Sequence, residues 1–340
     1  LLAPTAADFD RFGYVVAISG NGGLALVGEP RDNLRGAAHV FARTGTSWSL
    51  QSTLPATGLG TGSGFGASVG LSSAGTIALV GADDGTGSVY VFTRSGSTWT
   101  QTQVLRGAAG EGFAATLAIA PGGGTALVGA LGDGVGRVYV LTNSGGVWSQ
   151  QAVLVPPSVA PGDSPVFGTS LALSSNGDTA LIGSPLSDAT ASDAGAAYVF
   201  VRSGSTWSLQ STLPASALAA GDHFGAAAAL TYDGSLALVG APQDDTVASD
   251  RGTVRVFTRA GSVWSEQSTL VHSAPLSGDQ FGNAIALSSD GSAAIVGVAS
   301  DNDAGVDAGS ARIFLRNGST WVEEATLTAS SPGFDDELGT

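Results

Sequence analysis

The sequence predicts an all-β fold, specifically a β-propeller of four-stranded antiparallel blades. Three observations carry that prediction. All six tryptophans, Trp48, Trp99, Trp148, Trp207, Trp264 and Trp321, recur every 49 to 59 residues in one context, as in RSGSTWSLQSTL and RAGSVWSEQSTL. A Phe-Gly pair precedes each at Phe12, Phe65, Phe167, Phe224 and Phe281, the third copy carrying Phe113 followed by Ala114. Between the two markers an apolar run ends in Gly28-Glu29-Pro30, Gly183-Ser184-Pro185 or Gly240-Ala241-Pro242, or in a relic of that tripeptide at Gly81, Gly129 and Gly297. A fixed period of this size means a repeat architecture. The six complete repeats are approximately 12–54, 65–105, 113–154, 167–213, 224–270 and 281–327, within a single domain spanning 1–340.

Each unit reads as four strands, because short segments rich in Val, Leu, Ile and Phe alternate with turn formers and no 3.6-residue period intervenes. In the fifth unit, strand one is Ala226–Tyr232 and the Asp233-Gly234 hairpin leads to strand two, Leu236–Gly240. Strand three is Thr253–Arg259, and Ala260-Gly261 turns the chain into strand four, Trp264–Leu270. The first turn keeps its chemistry at Asn21-Gly22, Ala74-Gly75, Asn176-Gly177 and Asp290-Gly291, where glycine accepts the positive φ that such turns require. One small sheet cannot bury both faces, so successive sheets must stack, and radial repetition is the economical way to do it. The Ala- and Gly-rich first strands suit a crowded centre. The tryptophans and the strand-three aromatics Phe41, Phe92, Phe200, Phe257 and Phe314, with Leu141 as the exception, should fill the gaps between sheets.

Composition removes whole classes of function. Gly makes up 51 of 340 residues, about twice the usual ~7%, and charged residues are 12%, about half the usual ~25%. With 43% hydrophobic residues the chain has material for a large core, which excludes a disordered or collagen-like polymer. The formal charge is −15 and every basic residue is Arg, so a nucleic-acid backbone would be repelled. No apolar run approaches the ~20 residues of a membrane span. Zero Cys excludes disulfides, thiol catalysis and thiolate metal sites, and the absence of Met predicts a processed or excerpted chain.

The Phe-Gly pair, the Gly-Ala-Pro tripeptide and a strand such as Gly87-Ser-Val-Tyr-Val-Phe92 together resemble the FG-GAP repeat of the integrin α-subunit head and of many secreted bacterial proteins. The resemblance covers roughly residues 10 to 327. It implies a propeller, usually of seven blades, serving adhesion, carbohydrate binding or scaffolding beside enzymatic domains, in a secreted or cell-surface protein of bacterial type. Two departures stand out. The calcium loop of Asp-x-Asp-x-Asp-Gly form that the resemblance implies between strands one and two is replaced by bare turns. Residues 2–13 and 327–339 are also two copies of one linker, so 328–340 is either the start of a further repeat or a latch, and the ring has seven blades if sequence is missing at the ends.

Charge follows the loops. In an up-and-down blade the strand two–three loops and the linkers emerge on one face. Of the 28 acidic residues, Asp178, Asp233 and Asp290 lie in first turns and Glu266, Glu323 and Glu324 on outer strands, and the other 22 lie on that long-loop face. Solvation explains most loop charge, but Asp188 with Asp193, Asp244 and Asp245 with Asp250, and Asp301 and Asp303 with Asp307 put two or three carboxylates on short segments, the donor type Ca²⁺ takes. These eight are the candidate metal ligands, and Ca²⁺ is the one cofactor the loops admit. The opposite face carries Arg43, Arg94, Arg202, Arg259 and Arg316 before the last turn of each blade, placed to cover the neighbouring Trp. His39 stands in the strand-three column of Tyr90, Tyr139 and Tyr198, whereas His223 and His272 lie in linkers, so no catalytic constellation is expected. The expected role is a non-enzymatic extracellular or cell-surface structural or interaction module, for adhesion or assembly. Its partner would be a protein or glycan at the acidic face, with self-association through the duplicated terminal segments. A lectin-like propeller and an accessory domain of a polysaccharide-acting enzyme are the alternatives.

Overall fold

The computed structural model describes residues 1, 3–4, 10–32, 35–55, 57–245, 250–274, 276–302, 305–329 and 338–339. It is all-β, a propeller fold with six blades, each a four-stranded antiparallel sheet whose strands pair in chain order. Blade 1 comprises β1 (Val15–Ile18), β2 (Leu24–Glu29), β3 (Ala37–Thr44) and β4 (Ser47–Thr53). Blade 2 comprises β5 (Ser68–Leu71), β6 (Ile77–Ala82), β7 (Ser88–Ser95) and β8 (Thr98–Arg106). Blade 3 holds β9 (Phe113–Ile119), β10 (Thr125–Ala130), β11 (Arg137–Ser144) and β12 (Val147–Leu154), and blade 4 holds β13 (Leu171–Leu173), β14 (Thr179–Ser184), β15 (Ala196–Ser203) and β16 (Thr206–Thr212). Blade 5 is β17 (Ala228–Leu230), β18 (Leu236–Ala241), β19 (Thr253–Ala260) and β20 (Val263–Leu270). Blade 6 is β21 (Phe281–Leu287), β22 (Ala293–Val298), β23 (Ser310–Asn317) and β24 (Thr320–Leu327). By their contacts these fall into two compact units, one of Leu1–Asp133 with Arg137–Leu154 and the other of residues 134–136 with Val155–Thr340.

The turns behave as their residues dictate. Gly22, Gly75, Gly177, Gly234 and Gly291 all adopt φ between 62° and 70°, and the residue three places earlier caps the loop. Ser19 Oγ accepts the Leu24 N–H at 2.9 Å, Ser174 Oγ accepts that of Thr179 at 3.0 Å, and Ser288 Oγ accepts that of Ala293 at 2.9 Å. Asp290 also accepts from Ser292 N–H and from the Ser288 and Ser292 hydroxyls, which hold its carboxyl down to about 2. Strand one of the fifth unit is shorter than its sequence suggests. It is confined to Ala228–Leu230: Gly225, at φ 101°, gives its N–H to Gly240 O, and the Ala226 N–H that follows turns back to His223 O.

A bulge between strands three and four recurs in every blade, at Val40/Phe41, Val91/Phe92, Val140/Leu141, Val199/Phe200, Val256/Phe257 and Ile313/Phe314. The extra residue on the outer strand is left out of the ladder and becomes available to a neighbour. Gln210, the extra residue of blade 4, accepts the Trp264 indole N–H of blade 5 at 3.0 Å.

The Phe-Gly pair is the clamp between blades. In the first unit Phe65 N–H donates to Arg35 O of blade 1 at 3.0 Å, while Gly66 N–H donates to Gly81 O of its own blade at 2.9 Å. A Cβ on Gly66 would lie 2.2 Å from Ala37 O, and one on Gly28 would lie 2.1 Å from Gly66 O, so both glycines are required by close backbone approach. The phenylalanine itself is fully buried at Phe65, Phe167, Phe224 and Phe281. Leu338 and Gly339 seat on blade 6 in the same way: Leu338 N–H donates to Ala308 O, and Gly309 and Leu338 form the parallel bridge that Gly36 and Phe65 form elsewhere.

Candidate functional site

The long-loop side of each unit is built around one position in strand three, held by His39, Tyr90, Tyr139, Tyr198, Arg255 and Arg312 in blades 1 to 6. Each of these side chains reaches toward an acid or hydroxyl from the loop end of the blade. His39 Nε2 lies 2.7 Å from Glu29 Oε2, both residues buried, and Nδ1 lies 2.9 Å from Oγ1 of the exposed Thr53. Tyr139 donates to Glu111 Oε2 at 2.7 Å, and Tyr198 bonds Ser187. Near Tyr90 the acid is Asp84, bonded to Ser88 Oγ and to the Arg106 guanidinium, bonds that outweigh burial and keep its carboxyl below the usual range.

In blades 5 and 6 the column is arginine, and this decides the fate of two predicted ligands. Asp244 Oδ2 accepts from Arg255 Nη2 at 2.6 Å and from Thr253 Oγ1 at 2.7 Å, all three residues buried. Asp301 repeats it with Arg312 Nη2 at 2.6 Å and the Ser310 hydroxyl. Glu266 and Glu323 lie on the far side of each guanidinium, at 3.3 and 3.6 Å. A third, linker carboxyl completes each group: Asp222 and Asp279 are buried, and desolvation raises both above the ordinary carboxyl range. Asp279 Oδ2 lies 3.1 Å from His272 Nε2, and burial, aided by the charge of Arg312, pushes that imidazole below its ordinary value.

The remaining candidates serve loop geometry. Asp188 Oδ1 accepts the Asp193 N–H at 2.8 Å, Asp245 Oδ1 accepts that of Asp250 at 2.7 Å, and Asn302 Oδ1 accepts that of Asp307 at 2.9 Å. Asp193, Asp250 and Asp307 share φ of 50°, 51° and 50°, the left-handed region that aspartate tolerates better than most side chains. So the eight candidates divide into a buried arginine-bound column, an exposed capping column and a left-handed column, while Asp303 lies outside the described residues. Among the described residues no three carboxylate or imidazole groups come together as a metal cage. A guanidinium already sits against the best-placed carboxylates, and this donor set does not fit Ca²⁺, which takes six to eight oxygens. The expected result is a melting temperature unchanged by EGTA; a fall on chelation, restored by calcium, would show that these loops do hold an ion.

Two signals for this arrangement were in the sequence: Arg255 and Arg312 stand in a column of tyrosines, and Asn302 stands where Asp188 and Asp245 recur. On the opposite side four of the five expected arginines cover tryptophans, Arg94 being the exception. Arg43, Arg202, Arg259 and Arg316 place their guanidinium carbons 5.5 to 5.9 Å from the rings of Trp48, Trp207, Trp264 and Trp321, contacts worth about 0.5–1 kcal/mol each when exposed.

The comparisons with known proteins agree with this geometry. The family model of the FG-GAP repeat matches residues 1–41, 148–200, 207–257 and 264–314. No curated protein matches by sequence. Among solved structures, the β-propeller domain of Cps50 (Swd1) from Myceliophteria thermophila is similar at 13% identity, with a TM-score of 0.62 over 93% of this chain and 86% of that one. At that identity the likeness concerns the fold alone.

Proposed function

Because the chain belongs to the FG-GAP repeat family, we propose that it acts outside the cell or at the cell surface as a non-enzymatic interaction module, offering its long-loop rim to a protein with a basic surface. The observation that carries this reading is the division of labour among the rim acids of the second unit. Asp244 and Asp301 are buried against arginine and stiffen the loops of blades 5 and 6, whereas Asp245, next to Asp244 on the blade 5 loop, and Asp188, on the blade 4 loop where Ser187 bonds Tyr198, are exposed. A rigid acidic surface on a chain of formal charge −15 favours fast, salt-sensitive capture of a cationic partner. No helix among the described residues is long and apolar enough to cross a membrane.

The test is a binding screen of the whole chain against immobilised extracellular proteins and a glycan array. Capture of basic proteins is expected to weaken roughly tenfold when salt is raised well above physiological strength, and to weaken further in Asp188→Asn/Asp245→Asn. Saturable, salt-insensitive binding to defined sugars would replace this reading with a lectin. Turnover of a polysaccharide, abolished by substituting one loop carboxylate, would replace it with an enzyme.

A further inference from the structure

Asparagine followed by glycine occurs three times, at Asn21-Gly22, Asn176-Gly177 and Asn317-Gly318, and the fold treats the three pairs differently. Two of them are locked. In the first turn of blade 1, Asn21 Oδ1 accepts from Ser19 Oγ and from the Gly23 N–H, both at 2.9 Å, while the Gly22 N–H donates to Ser19 O at 2.8 Å. Blade 4 repeats this: Asn176 Oδ1 accepts from Ser174 Oγ at 2.7 Å and from the Asp178 N–H at 3.0 Å, and the buried Gly177 donates its N–H to Ser174 O at 2.9 Å. Asn317 stands instead in the turn from β23 to β24, where it pairs with Thr320. Among the described residues, neither its side-chain amide nor the Gly318 N–H has a hydrogen-bond partner. Both residues are exposed, Gly318 takes φ 64°, and a Cβ placed on it would have nothing within 4 Å. That openness belongs to the turn itself: residues 95–98 and 260–263, the same turn in blades 2 and 5, are exposed although blades 3 and 6 pack on those blades.

We propose that Asn317 is a site of self-modification, deamidating through a cyclic imide to aspartate and isoaspartate while Asn21 and Asn176 are spared. The Gly318 nitrogen, having given its proton to solvent, attacks Asn317 Cγ. The N–Cγ bond forms and the Cγ–Nδ2 bond breaks, and ammonia leaves with a proton returned from solvent. Water then opens the imide at Cγ to give aspartate, or at the main-chain carbonyl carbon to give isoaspartate. Water is consumed, ammonia is released and nothing is oxidised or reduced. Glycine permits the attack because no Cβ shields its nitrogen. At Asn21 and Asn176 the same approach must first break the bonds that the serine hydroxyl and the backbone make to the amide oxygen, and the bond that already occupies the attacking N–H. The product places a carboxylate next to Arg316, whose guanidinium carbon lies 5.9 Å from the Trp321 ring, and isoaspartate also lengthens the main chain within the turn.

Incubation of the whole folded chain at mildly alkaline pH, followed by peptide mapping with mass spectrometry, tests this. Aspartate and isoaspartate are expected to accumulate at Asn317 at least ~tenfold faster than at Asn21 or Asn176, since the protected pairs must lose several hydrogen bonds before reacting. In urea, where all three turns are lost, the three rates should converge, because each asparagine then precedes a glycine in open chain. Ser19→Ala and Ser174→Ala should each speed their own asparagine and leave Asn317 unchanged, with near-ultraviolet circular dichroism verifying the fold. Asn317→Gln should remove the fast product. A folded chain in which Asn317 reacts no faster than the other two, or a ranking that persists unchanged in urea, would overturn the proposal.

Discussion

Replacing Phe224 by alanine is expected to destabilise the second unit by about 3–5 kcal/mol, while Phe12→Ala, at the same repeat position, should cost only about 1–2 kcal/mol. The difference comes from burial on two sides. Phe224 is fully buried, packed among Leu181, Ala197 and Val199 of blade 4 and Leu230, Val239, Phe257 and Trp264 of blade 5. Its backbone is pinned by the N–H bond to Ala194 O at 3.0 Å, and Gly225 leaves no room for a side chain, since a Cβ there would meet Ala196 O at 2.4 Å. The surroundings therefore cannot collapse into the hole, and a rigid cavity wall is what makes such truncations costly. Phe12 packs beside Ala25, Val27, Phe41 and Trp48 of its own blade and is half-buried. Urea denaturation of both variants decides the matter: equal losses would mean that the Phe-Gly pair is not the clamp between blades.

Arg255→Met should cost about 3–5 kcal/mol at neutral pH, because it leaves the buried carboxylate of Asp244 without its counter-charge. The double variant Asp244→Leu/Arg255→Met is expected to recover most of that loss, since removing both charges removes the desolvation problem with them. The pH dependence carries a sign that a mere packing defect would not reproduce. Burial raises the Asp222 carboxyl and the Arg255 charge partly offsets the rise, so removing the arginine raises it further. A carboxyl whose folded pKa exceeds its unfolded value binds more protons folded than unfolded between the two, and stability then falls as pH rises through that window. The single variant should therefore be least impaired in mild acid and most impaired near neutrality, relative to wild type. Thermal melts from pH 4 to 8 check this, and a loss independent of pH would point to packing alone.

Much of the architecture could be read before any coordinates. The Trp column, the strand order and the Asn-Gly or Asp-Gly turns were legible because each depends on a few consecutive residues: a side-chain alternation of period two, or a glycine that takes φ near 65°. Strand one was overextended because Ala226 and Ala227 look like strand residues, and nothing local announces that Gly225 spends its N–H on Gly240. The phenylalanines of the Phe-Gly pairs read only as markers, yet Phe65, Phe167, Phe224 and Phe281 are among the most deeply buried side chains in the protein. Their burial follows from the neighbouring blade and not from their own.

The acidic loops show the same division at the level of function. A count of carboxylates per loop made Asp244, Asp245 and Asp250 look like one ligand set. Folding sends the three in different directions, toward a guanidinium eleven residues along the chain, toward a backbone amide, and into a left-handed turn.

By itself, then, the sequence determined the period, the four strands of each unit, the turn types and the sign of the charge on the long-loop side, since all of these are set by short-range backbone preference and by composition. Tertiary structure alone decided which carboxylates are neutralised in the interior, which remain outside, and which apolar faces meet a neighbouring blade. Those outcomes depend on residues brought together from distant parts of the chain, and on the cost of burying a charge without a partner.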